Sequence, residues 1–414
     1  INDGLDKYKE RFMKFEFDKM LERHGMDAIA VDGLGTVPGM SPDKPKDGFD
    51  VIPMWVADMN FATSPSIQEA IIERAKHPAF GYFAPTDEYY QAIIDWHRDR
   101  KGIGDIRKEH IGYENGVLGG VISALNVFCS RGDKVLVHSP TYIGFTNSLT
   151  NNGYKIIHSD LIKDKDGRWV MDYENMEELI VREKISATIM CNPHNPTGRV
   201  WSKEELKKAC DIFEKYGVKI ISDEIWSDII LDGNKQTPTQ SVSNYAHENT
   251  VALYAPSKTF NLAGLVGSYH IIYNQYLRNR INKEASLSHY NSMNVLSMHG
   301  LIGAYSKTGR EWTEELNQTL TRNVAYACDF IEENFEGVSV SKPEGTYMLF
   351  VDFSKYCKDK GVDIGEILKR GWDCGVAWQD GRAFNGKYAI RMNLALPLDK
   401  IKEAFDRLKE YLVL

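Results

Sequence analysis

From about residue 110, short runs of β-branched and aliphatic residues alternate with stretches of helical character, and this alternation limits the chain to one fold class. The runs predict strands at 134–137, 187–190, 218–221 and 251–254. Strands that alternate with helices are typical of a largely parallel sheet with helices on both faces. The sequence therefore predicts an α/β protein with a large, mainly parallel mixed sheet sandwiched by helices.

The length of 414 residues is too great for one ordinary hydrophobic core and indicates one large and one small domain. The glycine- and proline-rich segment 33–48 predicts an arm and loop rather than an independent domain. We expect an arm and part of the small domain at 1–60, the large domain at 61–285, and the rest of a smaller α/β domain at 286–414. The first dozen residues are assigned no function.

Helix signals flank the predicted sheet. Ser64-Pro65 places proline at a first helical position, and Gly102 ends a helix predicted over 87–101. The later part of the chain predicts helices at about 276–306 and 313–334 and strands at 345–352 and 387–393.

Charge and cysteine content exclude several classes of protein. A net charge of -8 argues against a nucleic-acid surface, which needs a basic face. No apolar run approaches the ~20 residues that span a bilayer, and Ile1-Asn2-Asp3-Gly4 lacks the start of a signal peptide. The six cysteines form no C-x-x-C pair and no metal-ligand spacing, so we expect reduced, mostly buried thiols and no metal. We expect a cytoplasmic enzyme that binds neither nucleic acid nor membrane.

Polar side chains stand where predicted strands end, which is where α/β proteins place chemistry. Lys258 follows the run 251–254, Asp223 follows the run that begins at Val218, and Asn195 lies in a loop between two prolines. Glu114-Asn115-Gly116-Val117-Leu118-Gly119-Gly120 precedes a helical run. A glycine turn that opens a helix presents N–H groups to a dianion, so the Val117 and Leu118 amides are candidates for a phosphate.

Three motifs together resemble one family. Asn192-Pro193-His194-Asn195-Pro196-Thr197-Gly198, Ser222-Asp223-Glu224 and Ser257-Lys258-Thr259 are similar in order and spacing to the pyridoxal-phosphate (PLP) family that includes class I/II aminotransferases. Trp55-Val56-Ala57-Asp58-Met59, Pro193-His194-Asn195-Pro196 and Ser257-Lys258-Thr259-Phe260-Asn261-Leu262-Ala263-Gly264 resemble its branch of cystathionine β-lyases and cystalysin, which are carbon-sulfur lyases. The resemblance implies the fold-type I PLP-dependent transferase fold.

The resemblance implies a role for each strand-end residue. Lys258 would be the Schiff-base lysine and the base at the substrate Cα. Asp223 would keep the pyridine nitrogen protonated, so that the ring can accept electrons. Asn195 would donate to the cofactor's O3', Tyr142 would stack on the ring, and the Ser257 hydroxyl would add a contact to the phosphate.

Substrate and subunit contacts follow from the same resemblance. The backbone amide near Ala57 would meet the substrate carboxylate. Arg391 lies in an otherwise apolar strand, where a guanidinium is costly unless it meets an anion, and its bidentate match is a carboxylate. A structural salt bridge is the alternative for Arg391. Tyr82 would reach the phosphate of the neighbouring subunit of a homodimer, the alternative being an ordinary tyrosine at a turn.

The chain departs from the family pattern at three positions. Val266 stands where many aminotransferases place an arginine on the phosphate, and Asn60 stands where the lyase branch usually carries Asp. Trp226 replaces the Tyr of aminotransferases and the His common in the lyases. Indole N–H can donate a hydrogen bond but cannot accept one, which leaves the exact reaction open.

These residues form one predicted site. The predicted catalytic residues are Lys258, Asp223 and Tyr142; the cofactor-binding residues are Tyr82, Gly116, Val117, Leu118, Tyr142, Asn195, Asp223, Trp226, Ser257 and Lys258; the substrate-binding residues are Ala57, Asn195 and Arg391.

The resemblance implies β-elimination from a sulfur amino acid, giving pyruvate, ammonia and a thiol. Amino transfer between an amino acid and a 2-oxo acid is the alternative, since it uses the same residues. A PLP-bound regulatory protein ranks last, because no helix-turn-helix domain is evident and both Lys258 and Asp223 are intact.

Overall fold

The structure, a computed structural model, describes residues 13–37, 40–287 and 291–412. The first dozen residues, assigned no function above, lie outside this range. The described residues form two compact units. One, here called the sheet unit, comprises Thr63–Asn195 and Arg199–Thr313. The other, the terminal unit, comprises the described parts of Ile1–Ala62 and Glu314–Leu414 together with Pro196–Gly198. The predicted domain boundaries near residues 60 and 285 stay a prediction.

The strands are numbered in chain order: β1 (Ile52–Pro53), β2 (Ile111–Asn115), β3 (Lys134–Ser139), β4 (Lys155–Lys163), β5 (Trp169–Met171), β6 (Ala187–Cys191), β7 (Lys219–Asp223), β8 (Thr250–Tyr254), β9 (Gly267–Ile271), β10 (Ser339–Val340), β11 (Met348–Asp352), β12 (Val376–Ala377), β13 (Gln379–Asp380) and β14 (Ala389–Asn393).

The helices are α1 (Ile29–Asp32), α2 (Pro65–Ala75), α3 (Asp87–Lys101), α4 (Val117–Phe128), α5 (Ile143–Asn151), α6 (Tyr173–Glu183), α7 (Lys203–Tyr216), α8 (Asn244–Asn249), α9 (Gln275–Leu287), α10 (Val295–Ala304), α11 (Lys307–Asn334), α12 (Ser354–Lys360), α13 (Ile364–Asp373) and α14 (Leu398–Tyr411).

A large mixed sheet runs through the sheet unit in the order β2-β9-β8-β7-β6-β3-β4-β5. The central pairs β8/β7, β7/β6, β6/β3 and β3/β4 are parallel, whereas β9 is antiparallel to both of its neighbours and β5 is antiparallel to β4. This arrangement confirms the predicted sheet.

Helices cover both faces of that sheet because successive strand residues point to opposite sides. In β3, Val135 and Val137 pack into a core with α4, α5 and α9, whereas Leu136 packs into a second core with α6, α7 and α8. Both cores consist of fully buried aliphatic and aromatic residues. The α/β sandwich predicted from the alternation is confirmed.

The terminal unit has its own small sheets. Strands β10-β11-β14-β13 form an antiparallel sheet, and β1 pairs with β12 in parallel register. In the segment at 51–58, only β1 takes part in this pairing. The predicted strands at 345–352 and 387–393 correspond to β11 and β14.

Local signals explain where helices begin and end. Thr86 accepts a hydrogen bond from the Tyr89 amide at the start of α3, and Gly102 ends that helix in the left-handed region at φ 69°. The predicted single helix over about 276–306 is wrong, because α9 and α10 are separate. The Asn294 side chain accepts from the Ser297 amide at 2.8 Å and so forms the N-cap at which α10 begins. Within the described ranges, no helix has the length and apolar character needed to cross a bilayer.

Candidate active site

The carboxyl ends of five strands meet at one edge of the large sheet. Strands β3, β6, β7 and β8 are mutually parallel, and β2 runs in the direction of β8 because β9 is antiparallel to both. Five predicted site residues end or follow these strands, namely Gly116, Tyr142, Asn195, Asp223 and Lys258. The topology therefore brings residues that are far apart in the chain to the same edge.

Asp223 is the last residue of β7 and is only 4% exposed. Burial raises the pKa of its carboxyl to about 7, although the Ile225 hydrogen bond and the charge of Lys258 lower it. The Ile225 amide donates to Asp223 Oδ1 at 3.0 Å. A carboxyl held in this way ionises readily once a cation is placed against it.

Two tight turns hold Lys258 in the loop after β8. The Phe260 amide donates to the Pro256 carbonyl and the Leu262 amide donates to the Ser257 carbonyl, each at 2.9 Å. Asn261 adopts φ 57°, in the left-handed region that asparagine tolerates better than most residues. The sequence Ser257-Lys258-Thr259-Phe260-Asn261 thus folds into a compact loop with a half-buried lysine.

A buried charge cluster lies against the residue that follows the lysine. Thr259 Oγ1 donates to Asp228 Oδ2 at 3.5 Å, and Asp228 also accepts from Trp96 Nε1 and pairs with Lys101 Nζ, both at 3.1 Å. The sequence analysis missed Asp228. Its signal was a carboxylate in the stretch from Trp226 to Leu231, in which Ser227 is the other polar residue.

Trp226 lies beside the lysine. Lys258 Nζ is 5.7 Å from the centroid of the Trp226 ring, within cation–π range, and the indole is almost fully buried. The position that departs from the family pattern therefore contacts the predicted reactive group. The indole can offer Lys258 a π face and a hydrogen-bond donor, but no acceptor nitrogen.

Gly116 forms the turn between β2 and α4. Its φ of 77° and ψ of 155° belong to a region that is essentially restricted to glycine, and it provides no side-chain cap for α4. The first amides of α4, including those of Val117 and Leu118, therefore depend on other partners. Val266 stands next to this turn, because a Cβ built on Gly116 would lie 3.9 Å from Val266 Cγ1. No positive charge comes from that position.

Tyr142 and Asn195 are fixed on neighbouring strand ends. The Tyr142 ring folds back over Gly144, where a Cβ would come within 2.3 Å of it, and meets Phe145 edge-on at 5.4 Å. The backbone amide of Asn195 donates to Cys191 Sγ at 3.5 Å, and Asn195 is buried. Glycine at 144 thus makes room for the aromatic ring.

Tyr82 projects from an extended segment between α2 and α3. It is fully exposed, and its neighbours Phe80 and Phe83 are also exposed. Three exposed aromatic side chains within four residues form an apolar patch of the kind that marks an interaction surface. The contact between Tyr82 and a neighbouring subunit remains a prediction.

Arg391 and Ala57 belong to the terminal unit. Arg391 is 4% exposed on β14, stacks over Phe384 at 4.4 Å, and donates to Gln379 Oε1 and to the Trp55 carbonyl. Gln379 pairs opposite Arg391 in the β13/β14 register. Neither Gln379 nor Phe384 was predicted from the sequence, since the β13/β14 register places Gln379 opposite the guanidinium and the fold of the turn at 381–384 places Phe384 against it.

Side chains of the terminal unit also fix the segment around Ala57. The Tyr347 hydroxyl donates to the Ala57 carbonyl at 3.0 Å, and Asn393 Nδ2 donates to the carbonyls on either side, those of Val56 and Asp58. The segment is therefore held by a residue of β14 and by the residue that directly precedes β11.

Known proteins resemble this chain over nearly its whole length. The family model of aminotransferase class I and II matches residues 50–408. Cystathionine beta-lyase PatB of Bacillus subtilis (strain 168) is 33% identical over 396 residues, which cover 95% of this chain and 98% of that protein.

Two solved structures give the same result. A PLP-bound putative aminotransferase from Clostridium difficile 630 has a TM-score of 0.87 at 33% identity, covering 97% of this chain and 100% of that one. Cystalysin from Treponema denticola, which contains a pyridoxal 5'-phosphate cofactor, has a TM-score of 0.88 at 30% identity and covers 97% and 99%. These likenesses confirm the predicted fold-type I architecture and the predicted family resemblance.

Proposed function

Because the chain belongs to the aminotransferase class I and II family, a PLP-dependent family, we propose that it is a carbon-sulfur β-lyase acting on a sulfur amino acid. The observation that carries the proposal is the meeting of Lys258 and Asp223 at one sheet edge in a chain that is 33% identical to a cystathionine beta-lyase. The products are pyruvate, ammonia and a thiol.

The residues at the sheet edge suit the cofactor. Asp223 is a buried carboxyl whose pKa burial raises to about 7, so a protonated ring nitrogen would supply the positive partner that favours ionisation. Gly116, whose backbone conformation is essentially restricted to glycine, forms the turn before α4, a helix of twelve residues. The N-terminal end of such a helix favours the binding of a phosphate dianion. Lys258 provides the amine, and Asn195 and Tyr142 provide a donor and an aromatic face.

When bound, PLP supplies an electron sink for the carbanion left when the α-hydrogen of an amino acid is removed. Lys258 accepts that proton at its Nζ, and Asp223 holds the proton on the ring nitrogen. If the β-carbon carries a sulfur substituent, the Cβ–S bond breaks and its electron pair leaves with sulfur as a thiolate, which is a good leaving group.

Arg391 is assigned to the substrate α-carboxylate. Its guanidinium is oriented by Phe384, Gln379 and the Trp55 carbonyl, all within the terminal unit. An oriented arginine binds a carboxylate in two parallel hydrogen bonds, and its geometry selects amino acids over amines. The Ala57 segment is assigned the backbone contact to the same carboxylate.

Trp226 bears on the choice between elimination and amino transfer. The indole stands beside Lys258 Nζ and cannot accept a proton, so it cannot share the proton transfer assigned to Lys258. We expect weak discrimination among leaving groups rather than loss of elimination. Amino transfer is the second candidate, because the Clostridium difficile relative is described as a putative aminotransferase.

The proposal includes a homodimer and a cytoplasmic location. The exposed aromatic patch formed by Phe80, Tyr82 and Phe83 supports a subunit interface. Six free cysteines, four of them buried, suit a reducing compartment. A PLP-bound regulatory protein with no turnover is the remaining alternative, and product formation excludes it.

Product partition tests the proposed reaction. The PLP-loaded protein is incubated with L-cystathionine, and separately with L-alanine and a 2-oxo acid acceptor. We expect pyruvate and thiol to form in the first incubation faster than amino groups are transferred in the second. Lys258→Ala should be inactive in both. Sustained amino transfer without pyruvate from cystathionine overturns the lyase assignment in favour of an aminotransferase.

A further inference from the structure

Asn291, in the loop before α10, is hydrogen-bonded to the turn that opens α4. Asn291 Oδ1 accepts from the backbone amide of Asn115, and Asn291 Nδ2 donates to the Tyr113 carbonyl, each at 2.7 Å. One side chain thus satisfies backbone groups on both sides of Glu114, at the carboxyl end of β2. Gly116 follows directly, so these two bonds set the direction in which the chain enters the turn.

A buried carboxylate anchors the asparagine from behind. Asn291 Nδ2 also donates to Glu114 Oε2 at 3.0 Å, and Glu114 is 0% exposed. The other partners of this carboxylate are His270 Nδ1 at 2.7 Å and Ser123 Oγ at 3.1 Å, the latter on α4. Buried carboxylates are stable only when partners surround them, and these three side chains surround Glu114.

The cluster packs closely against two glycines. A Cβ on Gly112 would lie 2.3 Å from His270 Nε2, and a Cβ on Gly120 would lie 3.1 Å from Glu114 Cγ. Ser268, opposite Glu114 on β9, donates its hydroxyl to the Glu114 carbonyl at 2.7 Å. Hydrogen bonds and close packing therefore hold the end of β2, the first turns of α4 and the Asn291 side chain together.

We infer that Asn291 is a positioning residue for the cofactor phosphate, acting through the Asn115-Gly116 turn. The inference rests on the proposed function, since it takes PLP as the ligand of the α4 amides. Nothing in the sequence pattern singles out Asn291, which lies about 175 residues after the turn it holds.

The physical basis is preorganisation. The amides of Val117 and Leu118 can bind a dianion without a loss of conformational freedom only if the turn before them is already held in place. Gly116 has the largest conformational freedom of any residue type, so the bonds on its N-terminal side must hold it. Val266 brings no cation to this turn, which leaves more of the phosphate binding to the amides.

Asn294 offers a matched control in the same loop. It is also an asparagine, its Nδ2 donates to the Leu265 carbonyl at 3.1 Å, and its Oδ1 caps α10 through the Ser297 amide. Neither of these two bonds reaches the Asn115-Gly116 turn. Loss of the Asn294 side chain therefore reports on the loop and on α10 rather than on the turn.

The test compares two ligands that differ by the phosphate. Apoproteins of the wild type, Asn291→Ala and Asn294→Ala are titrated with PLP and with pyridoxal, and Kd is read from the absorbance of the bound form. We expect Asn291→Ala to weaken PLP binding by about tenfold or more, which equals ~1.4 kcal/mol. Pyridoxal binding should change by less than about twofold, and Asn294→Ala should leave the ratio of the two Kd values at the wild-type level.

Other outcomes separate this inference from the proposed function. The positioning role is overturned if Asn291→Ala leaves the ratio of the PLP and pyridoxal Kd values unchanged, whether both ligands bind more weakly or neither does. The proposed function then stands as long as the wild type binds PLP. Wild-type apoprotein that binds no PLP overturns the proposed function itself. If the alanine variant does not fold, Asn291→Ser decides with the same two titrations, because a small polar side chain suits this half-buried position.

Discussion

Ionisation of Asp223 in the apoprotein should make a large contribution to how stability depends on pH. Burial raises the pKa of this carboxyl from 3.8 to about 7. Each pH unit between the unfolded and folded pKa corresponds to about 1.4 kcal/mol, so the contribution is on the order of 4 kcal/mol. The folded apoprotein binds this proton more tightly than the unfolded chain does. The stabilisation is therefore fully present below pH 4 and is lost as the pH rises through about 7.

Asp223→Asn is the matched perturbation, because its side-chain oxygen can still accept from the Ile225 amide while carrying no charge. Urea unfolding of both apoproteins, at equal protein concentration, gives the free energy of unfolding at about pH 4.5 and about pH 8. We expect the free-energy difference between variant and wild type to move in favour of the variant by roughly 3 kcal/mol between these two pH values, because part of the loss already occurs below pH 4.5. Parallel pH profiles for the two proteins would refute the buried, neutral carboxyl.

Cofactor binding should reverse the advantage of the variant. A protonated ring nitrogen placed against Asp223 restores a charge pair in the wild type, whereas the neutral amide that replaces the carboxyl in the variant gains no charge pair. Addition of PLP should therefore stabilise the wild type at about pH 8 more than the variant, and turnover of the loaded variant should fall far more than its stability. Near-normal turnover in the variant contradicts the assignment of Asp223 to the ring nitrogen.

Three further predictions concern other parts of the site. Lys258→Ala should abolish cofactor trapped by borohydride, and retained trapping would place the covalent link on another lysine. Mixing Lys258→Ala with a Tyr82→Ala variant should restore part of the activity through heterodimers; no recovery despite proven subunit exchange speaks against shared sites. Arg391→Ala should raise KM for the amino acid by roughly 10- to 100-fold, as expected for the loss of a charge-assisted hydrogen bond, and an unchanged KM would leave Arg391 a structural role.

The residue pattern alone determined the class of fold and most of the predicted site. Strand runs, the cap at Thr86 and the glycine stop at Gly102 are signals contained within a few residues, so they can be recognised without knowing what packs where. Lys258, Asp223 and Asn195 were predicted together for a similar reason. The carboxyl ends of parallel strands share one edge, and each of these residues follows a strand.

Tertiary structure alone decided what surrounds those residues. The pKa of Asp223 depends on complete burial by neighbours from other strands, and the contact between Trp226 and Lys258 depends on the register of β7 and β8. The bond from Asn291 to Asn115 joins segments about 175 residues apart. Such contacts depend on how whole helices and strands pack, so a local sequence pattern cannot predict them. The sequence therefore determined which groups could react, and the packing decided their charge, their partners and their orientation.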